Sequence, residues 1–331
     1  MFYPKPLKEG GTIGLVAPSF GIKIEPYLSR YNAAKKRFLD LGYKVIEAPS
    51  VYNLYRAASN DAKTRAKEFM DIYLNPDVDV VFSVAGGEIM IDMLYHLDFE
   101  KLKDVHKYFI GYSDNTCLTF LLTTLNDVST IYGQCFPPFG MRVLDESLID
   151  QLDLIKGLKY SFNSYDKYEV NDLKKDDYLA GFNKTEEVAV GYINNSFVTG
   201  TLLGGCLDVL ALIRGTKFDN VKEYTNDKKI LWYFEACELN PVAIYRELFL
   251  LRKQGWFDTA SGFIFGRSFF TDKMFDIDYL TAIKMALEDL NVGIIYNFDI
   301  GHLAPTIPIL NGSFAKCEVI NNKGYISYER K

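Results

Sequence analysis

Short, continuously apolar runs alternate along the chain with longer runs whose apolar positions recur every three or four residues. "GTIGLVAPS" (11–19) is an apolar run that reads as a strand. Residues 26–41, "PYLSRYNAAKKRFLDL", carry helical spacing, and Gly42 stops that helix. "YKVIEAP" reads as a second strand, and Asn60 as the N-cap of "DAKTRAKEFMDIYL". "DVDVVFSV" (77–84) is β-branched and almost unbroken, as expected of a strand covered on both faces. "AGGE" follows, then helix-like "IMIDMLYHL", strand-like "KYFIGYS" and helix-like "TCLTFLLTTL". This βαβα rhythm predicts a doubly wound parallel sheet.

The rhythm fails between about 140 and 185, where the chain is polar and rich in turn residues. It then resumes. "VTGTLLGGCLDVLALIRGT" reads as a glycine-rich loop opening a helix, "KKILWYFEA" as a strand, and Pro241 as the start of a helix. "ASGFIFG" and "VGIIYNF" read as strands and "DYLTAIKMALEDL" as a helix. "FAKCEVINNKGYISYE" reads as a hairpin turning at Asn322-Lys323-Gly324. The expected organisation is an N-terminal domain over 1–140, a connection over 141–185 and a C-terminal α/β domain over 186–331.

Composition narrows the function. A chain of 331 residues with 48% hydrophobic and 24% charged positions has enough apolar mass for two cores. The net charge of −6 disfavours a nucleic-acid binder, which needs a basic face for phosphates. Cys117, Cys135, Cys206, Cys237 and Cys317 form no C-x-x-C spacing, so neither a zinc site nor a disulfide framework is expected. No apolar run reaches the ~18–20 residues that span a bilayer, and the N-terminus has no signal-like apolar core. A cytoplasmic protein is the expectation.

Four segments carry candidate chemistry. In "IGYSDNTCL" (110–118), Ser113 follows a strand and precedes a helix, as a nucleophile does on a sharp elbow. The elbow's second glycine position holds Asn115, a residue that tolerates left-handed backbone. Ser113 or Asp114 could equally be a helix cap. In "VFSVAGGEI", Gly86 and Gly87 free backbone amides for a ligand or an oxyanion. In "LWYFEACELNP", Glu235 ends a strand and Glu238 lies just beyond, so either could serve. Of the three histidines, His302 alone sits in a loop after a strand, while His96 and His106 lie in helix-like and polar contexts. Serine, histidine and carboxylate together do acyl-transfer chemistry: imidazole takes the hydroxyl proton, and the carboxylate orients the imidazole. No G-x-G-x-x-G follows the first strand, which disfavours a dinucleotide enzyme. A ligand-binding module on a degenerate scaffold is the reading from another class.

In these segments the chain resembles the serine LD-carboxypeptidase family, which includes muramoyltetrapeptide carboxypeptidases and microcin C immunity peptidases. The similar stretches are "GGTIGLVAPSF", "VAGGE", "GYSDNTCL", "TGTLLGGCLDVLALIRGT", "WYFEA" and "FDIGHLAPTIPILNG", in family order. The resemblance implies an active site in the cleft between the two domains, with Ser113 as nucleophile, Glu235 as orienting carboxylate and His302 as general base. It implies an oxyanion hole from the amides of Asp114 and Gly87, with Gly86 shaping that loop. Glu88 and Arg246 are candidates for substrate contact. No metal or cofactor is implied, and a homodimer is. The murein-processing branch usually has Arg-Gly-Gly-Tyr-Gly where this chain has Ala85-Gly86-Gly87-Glu88-Ile89, and often Asp where it has Ala236. These departures favour a microcin-immunity-like peptidyl- or aminoacyl-nucleotide substrate. Release of terminal D-Ala from a murein tetrapeptide is the alternative.

Overall fold

Burial of the apolar runs organises the protein into two large sheets with helices packed around them, beside a separate two-stranded ribbon. The computed structural model describes residues 1–170, 177–270 and 272–330. Strands β1 (Thr12–Val16), β2 (Lys44–Glu47), β3 (Val80–Ser83), β4 (Tyr108–Gly111) and β5 (Thr130–Tyr132) come first. β6 (Ser161–Asn163), β7 (Lys167–Tyr168), β8 (Glu186–Glu187), β9 (Gly191–Ile193) and β10 (Phe197–Cys206) follow. The chain continues through β11 (Ile230–Glu235), β12 (Ala260–Gly266), β13 (Gly293–Phe298), β14 (Ile309–Asn311), β15 (Phe314–Ile320) and β16 (Lys323–Glu329).

The first sheet has the order β14-β5-β4-β3-β1-β2, parallel except for β14 on β5. Every residue of β1, β3 and β4 is buried, so a continuously apolar run, not an alternating one, is the correct strand signature here. The chain reverses its winding between β1 and β3. In sheets of this kind the ligand crevice opens beyond the carboxyl ends of the strands at that point. Phe20 follows β1 and Gly86-Gly87 follow β3, both at this crevice.

The second sheet has the order β6-β16-β15-β10-β11-β12-β13-β9. Its β10, β11, β12 and β13 are parallel, flanked by antiparallel strands. The helix Thr116–Asn126 is buried at all but one position, which is why it lacks a polar stripe. Its buried threonines bond to carbonyls one turn back: Thr119 Oγ1 to Asn115 O (3.3 Å), Thr123 Oγ1 to Thr119 O (3.0 Å) and Thr124 Oγ1 to Phe120 O (3.1 Å). Thr116 Oγ1 accepts from the Cys206 amide at 3.0 Å, and a Cβ on Gly205 would lie 2.5 Å from Thr116 Cγ2. The start of this helix therefore seats directly on the end of β10.

Several local expectations are corrected. "VTGTLLGGC" is not a loop but, with Phe197, the ten-residue strand β10. The N-cap of the helix Ala62–Leu74 is Asp61, whose carboxylate accepts from Thr64 N at 3.0 Å; Asn60 instead donates to Ser50 Oγ. The closing hairpin turns at Asn321-Asn322, both at positive φ (49° and 60°), and Gly324 already belongs to β16. "IMIDMLYHL" is a single α-turn, Met90–Met93, running into a 3₁₀ turn. The segment 141–185 contains the helix Glu146–Ile155 and β6, which joins the second sheet through β16. Its residues 171–176 lie outside the described residues.

A buried ion pair fixes the loop after β13. The Arg267 guanidinium pairs with the fully buried Asp299, and its Nη2 donates to the carbonyls of Leu303 (2.7 Å) and Pro305 (3.0 Å). Removing one partner of such a pair strands a charge at a cost of about 3–5 kcal/mol. Arg267→Met is expected to lower the unfolding free energy by about that amount in urea titration. A loss below about 1 kcal/mol would show that the pair does not hold this loop.

Candidate active site

The elbow forms because β4 must turn sharply into a helix that points back between the sheets. Ser113 takes φ 62°, a left-handed conformation that costs a non-glycine residue about 1–3 kcal/mol unless its surroundings hold it. They do. The Ser113 amide donates to Tyr132 Oη at 3.1 Å. Asn115 Nδ2 donates to the carbonyls of Tyr112 (3.0 Å) and Ala85 (3.0 Å), tying the elbow to the double-glycine loop. Gly111 permits this, since a Cβ there would lie 2.8 Å from Asn115 Cγ. Asn115 itself is ordinary right-handed helix (φ −62°, ψ −9°), so the strain lies on Ser113 and not at the second glycine position.

Neither Ser113 nor Asp114 caps the following helix through its side chain. The Asp114 carboxylate is buried and accepts from Ser19 Oγ and from Met90 N (2.9 Å), the amide that opens the turn after the double glycine. Burial raises its pKa, against the lowering effect of those two donors. Asp114 thus joins the ends of β1, β3 and β4 beneath the crevice. Among the described residues the amides of Asp114 and Gly87 donate to no acceptor, which leaves both available for an oxyanion. Gly86 passes directly over the serine: a Cβ on it would sit 3.0 Å from Ser113 Cβ and 3.2 Å from Oγ. Gly87 has φ 153°, and its Cβ would strike Ser19 Oγ at 2.2 Å.

Glu235 and His302 come from the second sheet. Glu235 closes β11 and is 2% exposed. His302 Nδ1 lies 2.8 Å from Glu235 Oε2, and Tyr132 Oη donates to Glu235 Oε1. Gly301 is required beside this pair: it has φ 102°, and a Cβ there would lie 2.7 Å from Glu235 Oε2. Burial opposes ionisation of Glu235, but the charge and hydrogen bond of His302, then the donation from Tyr132, leave its pKa below the ordinary 4.5. For His302 too burial is the largest influence and acts downward. The Glu235 charge, contact with Cys237 and the Glu235 hydrogen bond outweigh it and hold the pKa above the ordinary 6.5.

Glu238 is not the partner. It is exposed, and its amide and that of Cys237 donate to Asp208 (2.9 and 3.1 Å). Glu88 is exposed at the crevice, with its pKa raised first by partial burial and then by Glu238, Asp114 and Asp208. Arg246 lies exposed on the helix Pro241–Lys253 and lines no cavity that contains Ser113 or His302. His96 and His106 are exposed and distant in role, His106 stacking on Phe2.

Ser113 and His302 face one cavity of about 320 Å³, with Phe20, Tyr27, Tyr112, Cys237 and both loop glycines in its wall. No hydrogen bond joins Ser113 Oγ to His302 among the described residues, a looseness common before substrate binds. A second, smaller lobe of about 140 Å³ adjoins it past His302 and is lined by Arg30, Gln134 and Glu169. Among the described residues no cluster of three or more His, Cys, Asp or Glu is placed to hold a metal, and no helix is long and apolar enough to cross a membrane.

Sequence reasoning missed Tyr132 and the part played by Asn115. Tyr132 is one of 23 tyrosines, in a three-residue strand, and nothing in its neighbours separates it from a packing aromatic.

The profile of the LD-carboxypeptidase N-terminal domain matches residues 13–133, and that of the C-terminal domain matches 199–317. Microcin C7 self-immunity protein MccF of Escherichia coli is 24% identical over 317 residues, covering 92% of this chain and 90% of the relative. A Bacillus subtilis protein named "Probable murein peptide carboxypeptidase" is 24% identical over 323 residues, covering 95% and 91%. Among solved structures, microcin C7 self-immunity protein MccF in complex with aspartyl sulfamoyl adenosine superposes with a TM-score of 0.86 at 20% identity, covering 100% of this chain and 99% of that one. The MccF-like protein from Bacillus anthracis gives 0.84 at 22% identity, covering both chains completely. At these identities the likeness is one of fold.

Two outcomes are expected from the geometry. Gly86→Ala should fold normally yet lower kcat/KM, because the methyl crowds Ser113 Oγ; unchanged turnover would mean the loop does not confine the serine. A raised His302 pKa keeps the imidazole protonated, and so unable to accept the serine proton, to higher pH. The kcat/KM profile should therefore rise with pH through a limb whose midpoint lies above 6.5. A midpoint at or below that value would contradict the pairing.

Proposed function

We propose that this chain, which belongs to the LD-carboxypeptidase family, hydrolyses an amide bond through Ser113, His302 and Glu235. The observation that carries this reading is the buried Glu235–His302 pair facing the same cavity as a serine held at positive φ under two free amides. Ser113 Oγ attacks the carbonyl and passes its proton to His302. The amides of Gly87 and Asp114 receive the developing oxyanion. His302 returns the proton to the leaving amine, and a water activated by the same imidazole releases the acyl group. Glu235 holds the Nδ1–H tautomer and offsets the imidazolium charge throughout.

The substrate favoured is a peptidyl- or aminoacyl-nucleotide. The larger lobe is walled by Phe20, Tyr27, Tyr112, Pro137 and Pro138, flat surfaces suited to a planar ring. The relative solved with aspartyl sulfamoyl adenosine carries a ligand of that class. One observation favours a murein tetrapeptide instead. Arg30 lines the smaller lobe with its Nε and Nη2 on the carbonyls of Tyr178 and Ala180, so its Nη1 can still meet a free carboxylate. The reading includes a homodimer, as is common in the family, acting in the cytoplasm.

Purified protein incubated separately with an aminoacyl sulfamoyl adenosine and with murein tetrapeptide decides the substrate by chromatography of the products. The nucleotide should be cleaved and D-Ala release from the tetrapeptide should be slow; the reverse ranking selects the murein reading. Ser113→Ala should lower turnover of either by at least about 10³-fold with the fold intact. Full turnover in that variant would remove the serine from the mechanism.

A further inference from the structure

We infer that Tyr132 is a positioning residue that ties the strained nucleophile to the triad's carboxylate across the boundary between the two sheets. It rests on the hydrolase reading above. Ser113 follows β4 of the first sheet, while Glu235 ends β11 of the second and His302 lies in the loop after that sheet's β13. Tyr132 closes β5 of the first sheet and is 2% exposed. Its single hydroxyl makes both contacts that matter: it accepts from Ser113 N–H at 3.1 Å and donates to Glu235 Oε1.

The polarity of this chain is fixed by chemistry. A backbone amide can only donate and an ionised carboxylate can only accept, so the phenolic proton must point to Glu235. Burial first, and then the charge of Glu235, keep the phenol protonated far above neutral pH. Tyr132 therefore moves no proton. It holds the left-handed Ser113 amide, which leaves the next amide, that of Asp114, free for the oxyanion. It also draws off part of the Glu235 charge that would otherwise act on His302.

That second effect separates positioning from mere packing. Without the hydroxyl, Glu235 keeps one donor instead of two and stabilises imidazolium more strongly. The neutral base then appears only at higher pH. Tyr132 also touches the rings of Tyr112 and Tyr233, contacts that phenylalanine preserves.

The test compares wild type with Tyr132→Phe on the aminoacyl sulfamoyl adenosine, measuring kcat and KM separately from pH 5 to 10. The expected result is a kcat lowered about 10- to 100-fold, KM within about twofold, and the rising limb moved to higher pH. Tyr132 replaced site-specifically by 3-fluorotyrosine, a stronger donor of nearly equal size, should move the limb to lower pH; this variant decides the matter if Tyr132→Phe does not fold. A kcat within about twofold of wild type with an unmoved limb in either folded variant overturns the inference. Should the wild type cleave no amide, the hydrolase reading fails by itself. The low-field proton NMR signal of His302 Nδ1–H then decides: displacement in the Tyr132 variants supports the link, and an unmoved signal refutes it.

Discussion

A carboxylate taken almost completely out of water must be compensated, and Glu235 is that carboxylate. At the end of β11 it has no solvent to offset its charge. Leaving such a group unpaired costs several kcal/mol, so its partners are obligatory rather than decorative. They arrive from two directions: His302 from the loop after β13 and Tyr132 from β5. Each fixes a neighbouring piece of chain. Gly301 must lack a side chain because the Glu235 side chain fills the space beside it, and at Gly266 a Cβ would strike the Ile300 carbonyl oxygen at 2.3 Å and crowd Glu235 Cβ at 3.0 Å. Much of the site's geometry follows from stabilising this one charge.

The first sheet supplies the other half by a different constraint. Its winding reverses between β1 and β3, and the chain ends there converge on a crevice. Asp114 bonds below to Ser19 and to Met90 N, and Asn115 reaches to Ala85, so three loops are fastened to one another. The strain of a left-handed serine is tolerated because these bonds over-determine it. The two halves meet where Tyr132 touches Glu235 and where Thr116 receives the Cys206 amide. Two sheets folded for separate reasons are thereby fastened to each other at the crevice.

Much of this was legible in the chain. The parallel sheets follow from continuous β-branched and aromatic runs such as 77–84, because burial on both faces removes alternation. Ser113, Glu235 and His302 stood out because each sits where a strand gives way to a loop, and the structure brings the serine and histidine to one cavity and the glutamate onto the histidine. Glycine misled at 198–206: Gly204 and Gly205 lie inside β10, at φ 159° and 150°, because the backbone of Tyr233 and the side chain of Thr116 press against them. Tyr132 was illegible for a deeper reason. Its importance lies in one hydroxyl meeting a residue 103 positions away, and no local pattern encodes such a contact. Arg246 sits on an exposed helix face, whereas Arg30, 83 positions before Ser113, lines the lobe beside His302.

The central claim is that Ser113 becomes acylated in a site assembled from both sheets. Acid quenching during turnover of an aminoacyl sulfamoyl adenosine, followed by mass spectrometry of the proteolytic fragments, tests it directly. The account predicts a transient mass increase equal to the acyl group on the fragment containing Ser113. An acyl adduct on Cys237 or another residue, or product formed with no adduct at any time after mixing, would contradict it.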